Sequence, residues 1–175
     1  MPTPLLDRIG PDTPGKLERA AARRYAEAVR LKDYEPLGAL YLFGYAIEMR
    51  LKSAWYRLTN VPQKRDINVA MPNQSTSPRQ LAEQTIRVLL NLPAKAPVGH
   101  SLIGWAKLVI ETRRNHALGP LQPADERALW EHAQKAARVW RETLRYRANK
   151  PYNQEVEDVA AAANWVRRKY RTLWT

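Results

Sequence analysis

The feature that most constrains this chain is an unbroken apolar stripe in its first third. Leu37, Leu40, Gly44, Ile47, Leu51, Ala54 and Leu58 follow one another at steps of three and four. That is the period of one helix face, because about 3.6 residues complete a turn, and a strand, which alternates every second residue, does not fit it. Pro36 opens the segment, and proline suits a first helical turn, where its missing N–H has no partner to lose. A helix this apolar along one side is expected at the centre of the core. Gly44 inside the stripe lowers helix propensity by about 1 kcal/mol, so its expected use is steric: close approach by a neighbouring helix backbone. Glu48 borders the stripe, and Lys52 lies one turn on, the spacing of an ordinary helix-stabilising ion pair.

The remaining periodic segments are also helical, and glycine and proline separate them. A first helix is expected from Pro14 to Leu31, after the capping pair Asp12 and Thr13. Residues 60–77 are polar, contain Pro62 and Pro72, and read as a long exposed loop. Ser77 and Pro78 start a peripheral third helix that runs through Leu81, Thr85, Val88 and Leu92 until Pro93. Ser101 caps a fourth helix that ends before Gly119 and Pro120. A fifth begins near Pro123 and carries Leu129, Ala133, Ala136, Trp140 and Leu144 on one face. A sixth runs from Asn153 to the end of the chain. The expected fold is all-α: a single domain over 1–175, an antiparallel bundle of five to six helices with a flexible N-terminal segment 1–13.

Length and composition agree with one packed domain, at 175 residues and 45% hydrophobic. The chain has no cysteine, which excludes disulfides, thiolate zinc sites and cysteine nucleophiles. No apolar run approaches the roughly 18 residues of a membrane span, and the N-terminus does not read as a secretory signal, so a cytoplasmic protein is expected. Lys and Arg number 29 against 17 Asp and Glu, a net charge of +12, which favours polyanionic partners such as RNA. No P-loop, dinucleotide fingerprint, catalytic carboxylate pair or metal-ligand cluster is present, so neither cofactor nor metal is expected.

The segment YLFGYAIEMRLKSAW, residues 41–55, resembles the signature of the HEPN (higher eukaryotes and prokaryotes nucleotide-binding) family. Gly44, Glu48 and Lys52 are its motif positions. GHSL at 99–102, with His100, and RYR at 145–147 follow in the family's order, and the alanine-rich last helix is similar to the family's closing helix. The resemblance implies a helical domain that dimerises, either as a metal-independent ribonuclease or as a nucleotide- or protein-binding partner. Such partners often stand beside a nucleotidyltransferase in toxin–antitoxin pairs.

Ribonuclease members of the family carry an arginine, four to six further residues and a histidine. Only Arg127 and His132, in RALWEH, match that spacing here, and Ala128 stands where the family has a polar residue. An imidazole there would move the 2′-hydroxyl proton while the guanidinium held the phosphate. RRNH at 113–116 lacks the intervening residues. His100, beside Gly99 at a helix start, is expected to fix a turn through nearby backbone. Arg138, Arg141, Arg145 and Arg147 form a concentrated basic stretch suited to phosphate. Trp105 and Trp140 sit at core spacing, whereas Trp130, Trp165 and Trp174 could also stack on bases. The leading expectation is a dimeric binding module that contacts RNA, a nucleotide or a partner protein through basic surface. An endoribonuclease toxin acting through Arg127 and His132, and a purely structural partner protein, are the alternatives.

Overall fold

The computed structural model describes residues 12–146 and 150–175, the side chains of 145 and 146 excepted. Six α-helices carry them: α1 Pro14–Leu31, α2 Pro36–Leu58, α3 Pro78–Leu89, α4 Leu102–Arg114, α5 Pro123–Val139 and α6 Asn153–Lys169. Short 3₁₀ turns, Glu142–Tyr146 and Arg171–Leu173, follow α5 and α6. Among the described residues there is no strand, and no helix is long and apolar enough to cross a membrane. The fold is an all-α bundle.

Local chemistry explains the helix ends. Thr13 accepts from the Lys16 N–H at 3.2 Å, and Ser101 accepts from the Gly104 N–H at 3.1 Å. Ser77 and Gln80 exchange side-chain and backbone bonds in a capping box. Both α2 and α3 stop at a left-handed asparagine, Asn60 at φ 57° and Asn91 at φ 52°. In each case the next N–H reaches back five residues, Val61 to Tyr56 and Leu92 to Arg87, closing a Schellman motif. This is why α3 ends at Leu89 rather than at Leu92. The fifth helix stops at Val139, short of Leu144, because Trp140 turns extended to enter the core.

α2 is the central helix: it packs on α1, α4 and α6, and none of its residues is exposed. Trp55 Nε1 donates to Thr112 and Ser53 lies 2.8 Å from the Tyr170 hydroxyl, so the C-terminal ends of α2, α4 and α6 share one end of the bundle. Lys32 pairs with Glu157, and Lys169 with Asp125, which sets α1 and α5 running opposite to α6. Helices α2, α4, α5 and α6 thus close a ring, with α1 laid against α2 and α3 against α4.

Two expectations change in detail. The neighbour that Gly44 admits is a side chain, not a backbone: a Cβ there would overlap the indole ring of Trp140. The loop 60–77 is anchored rather than merely exposed. Val61 and Ile67 are buried in the main core, the Ile67 N–H donates to the Asp12 carbonyl, and the Ile67 carbonyl accepts from Arg79. Of the N-terminal segment 1–13, residues 1–11 lie outside the described residues, and Thr13 is buried at the start of α1.

Candidate functional site

Two groups of charged side chains stand out, and their charge balance separates them. The first gathers the motif residues. Glu48, 2% exposed on α2, accepts from Lys52 Nζ at 2.5 Å and lies 3.0 Å from His100 Nδ1. His100 Nε2 lies 3.3 Å from Glu142, just beyond α5. Lys52 also sits 5.3 Å above the Trp105 ring, whose Nε1 donates to the Gly99 carbonyl. Nearby, Tyr45 packs edge-on against Tyr41, His100 and Trp140, and burial first, then its bond with Tyr41, pushes its pKa far up. Trp140 Nε1 donates to the Tyr41 carbonyl.

The sequence places Glu48 and Lys52 as a one-turn pair, and the structure keeps that pair but adds a third member. His100 fixes its turn through two carboxylates rather than through nearby backbone. Its pKa is raised, chiefly by the Glu48 hydrogen bond; burial and Lys52 oppose the shift, and the charges of Glu48 and Glu142 add to it. With His100 protonated, two cations meet two carboxylates among the described residues. The cluster ties α2 to the start of α4 and the end of α5.

The second group has a large spare charge. A groove of about 660 Å³ runs between the first turns of α1, the outer side of α2 and the loop after it. Among the described residues its cations are Lys16, Arg19, Arg50, Arg57 and Lys64, and its only carboxylate is Glu18. Arg57 is fixed: it donates to Glu18 at 2.6 Å and to the Tyr170 hydroxyl at 3.2 Å, and stacks 4.3 Å over Trp174. Burial works against its charge, but the bonds to Glu18 and Tyr170 outweigh it and raise its pKa.

Arg50 is held differently. It stacks 4.5 Å over the Tyr170 ring, while its nearest carboxylate oxygen, on Glu18, is 3.9 Å away. Burial pulls its pKa down; Tyr170 and Glu18 push back, and Arg167 adds to the fall. A guanidinium stays protonated regardless, so Arg50 is a desolvated cation without a close hydrogen-bonding anion. The backbone at the start of α1 contributes no free donor. Pro14 has no N–H, Gly15 donates to the Gln63 carbonyl, and Lys16 and Leu17 donate to Thr13. At the start of α1 an anion would meet side chains, not free backbone donors.

The other residues singled out by sequence are dispersed. Arg127 is exposed beside the α4–α5 connection, whereas the His132 ring lies 5.5 Å from Trp165 of α6. Five residues along a helix turn the side chain by about 140°, so one chain does not bring these two together. Arg138 is exposed. Arg141 donates to the Ala137 carbonyl at 2.7 Å and serves the end of α5. Arg147 and the side chain of Arg145 lie outside the described residues. Trp105 and Trp140 are fully buried, whereas Trp130, Trp165 and Trp174 are half-buried against the core. Among the described residues no three His, Asp or Glu side chains group to hold a metal ion.

No single stretch of the sequence marks the groove. Its signal was present in the spacing of Lys16 with Arg19 and of Arg50 with Arg57, one and two turns apart on their helices, but only hairpin packing of α1 on α2 merges them. No family model, curated protein or solved structure matches this chain.

Proposed function

We propose that the chain is a HEPN-like helical module that binds the phosphate backbone of RNA in the groove between α1 and α2. The observation that carries this reading is the groove's charge: among the described residues five cations share one carboxylate, Glu18, which Arg57 binds at 2.6 Å and Arg50 reaches only at 3.9 Å. Phosphate contacts release counterions, so binding of this kind weakens steeply as salt rises. Convergence of Gly44, Glu48, Lys52 and His100 around Trp140 and Glu142 supports the HEPN reading, because the motif positions then share one structural task.

The test is anisotropy of labelled single-stranded RNA across a salt series in EDTA, with the same samples run on a denaturing gel. The expected result is salt-sensitive binding to RNA that stays intact. Absence of binding, or affinity unaffected by salt, overturns the reading. Cleavage lost in both Arg127→Ala and His132→Ala would instead support the ribonuclease alternative.

A further inference from the structure

A different cleft, of about 750 Å³, opens between α4 and α5 where the two helices are joined. Its volume is that of a small-molecule site. Ile110 and Leu121, both buried, line it together with half-buried Trp130, and Leu118 is 48% exposed beside it. Pro120 and Pro123 stiffen the connecting wall, and Gly119 turns it at φ 73°, a left-handed conformation that suits glycine. The apolar slot is therefore built on restrained backbone.

Its charges are nearly all committed. Arg114 is held between Glu111 and Glu126 on the rim, and Lys107 donates to the Leu89 carbonyl at 2.6 Å. Arg127 alone among the lining cations makes no hydrogen bond or ion pair with the described residues, and the Trp130 indole N–H is likewise unbonded. One spare cation beside an apolar slot, with two carboxylates on the rim, selects against polyanions and in favour of a single negative charge.

We propose that this cleft binds a small amphipathic monoanion, its flat apolar body against Trp130 and Leu118 and its anionic head on Arg127. Stacking and burial supply the attraction to the body, and the guanidinium supplies a charge-assisted hydrogen bond to the head. Arg127 is then a binding anchor. The site shares no residue with the α1–α2 groove and stands or falls independently of RNA binding.

The test uses 8-anilinonaphthalene-1-sulfonate and its uncharged analogue N-phenyl-1-naphthylamine, titrated by fluorescence against the folded full chain. The sulfonate should bind one to one. Arg127→Ala should weaken it about tenfold, the scale of one charge-assisted contact, and leave the neutral probe unchanged. Leu118→Glu, at an exposed position, should weaken both probes without disturbing the fold seen by circular dichroism, and Arg50→Ala should affect neither. The proposal is overturned if the sulfonate does not bind, if Arg127→Ala leaves its affinity unchanged, or if Leu118→Glu does.

Discussion

Gly44 is the residue at which one methyl group has the largest consequence. Ala is the better helix former by about 1 kcal/mol, yet its Cβ at this position would overlap the indole of Trp140, itself buried and bonded to the Tyr41 carbonyl. Overpacking of a rigid core ring outweighs that gain, so Gly44→Ala should lower stability by about 1–3 kcal/mol in urea unfolding. Gly38→Ala is the control, because a Cβ there meets only the end of the mobile Glu35 side chain. Two histidines give opposite pH signatures. The raised pKa of His100 means that its bonds to Glu48 and Glu142 contribute fully below the ordinary value near 6.5 and are lost as pH rises through the folded value. Stability relative to His100→Asn should therefore shrink as pH rises above about 6.5, modestly, because the ring is partly exposed to solvent. His132 has a lowered pKa, from burial first and Lys135 second, and its Nδ1 is buried without a hydrogen-bond partner among the described residues. The unfolded chain takes up that proton first, so His132 penalises folding as pH falls below about 6.5. His132→Phe keeps a ring against Trp165, removes the orphaned atom, and should add about 1 kcal/mol at neutral pH and more at about pH 5. Equal stability at both pH values would refute that assignment.

Individual elements divide into those whose ends are written locally and those fixed by distant partners. The loop between α2 and α3 is of the second kind. Ile67, 5% exposed, fills a place in the core while its backbone bonds both to Asp12 and to Arg79, so one residue ties the entry of α1 to the start of α3. Ile67→Ala should cost about 2–4 kcal/mol, and the Arg79 amide should exchange with solvent faster than amides within α2. The six helices were legible because their punctuation is local: Thr13, Ser77 and Ser101 cap, prolines open, and stripes repeat at the helical period. The Schellman ends at Asn60 and Asn91 were legible in principle, since asparagine tolerates the left-handed region. What the sequence did not display is pairing between distant stretches. Nothing near Gly44 points to Trp140, nothing near His100 points to Glu48, and the loop's polar composition masks the two apolar residues that anchor it. The candidate groove was hidden for the same reason, because α1, α2 and the following loop each supply only part of it.

For the molecule as a whole, a net charge of +12 raises the question of whether polyanion binding follows total charge or its placement. The two possibilities differ in the salt dependence of binding, not simply in affinity. Each single-strand phosphate neutralised contributes about 0.7 to the slope of log K against log salt. A cation that merely adds to the overall field shifts affinity while releasing few bound ions. Arg19→Gln with Arg50→Gln removes two groove cations, whereas Arg138→Gln with Arg141→Gln removes two from the end of α5; either pair takes the net charge from +12 to +10, since 12 − 2 = 10. Arg141 is already engaged with the Ala137 carbonyl, so the second pair should leave the slope near that of the parent chain. The groove pair should flatten it by about 1.4, two contacts' worth. Equal slopes in the two variants would assign binding to the overall field and remove the groove from the account. A flatter slope in the groove variant alone would locate the phosphate contacts between α1 and α2, where Arg50 and Arg57 of α2 line the groove.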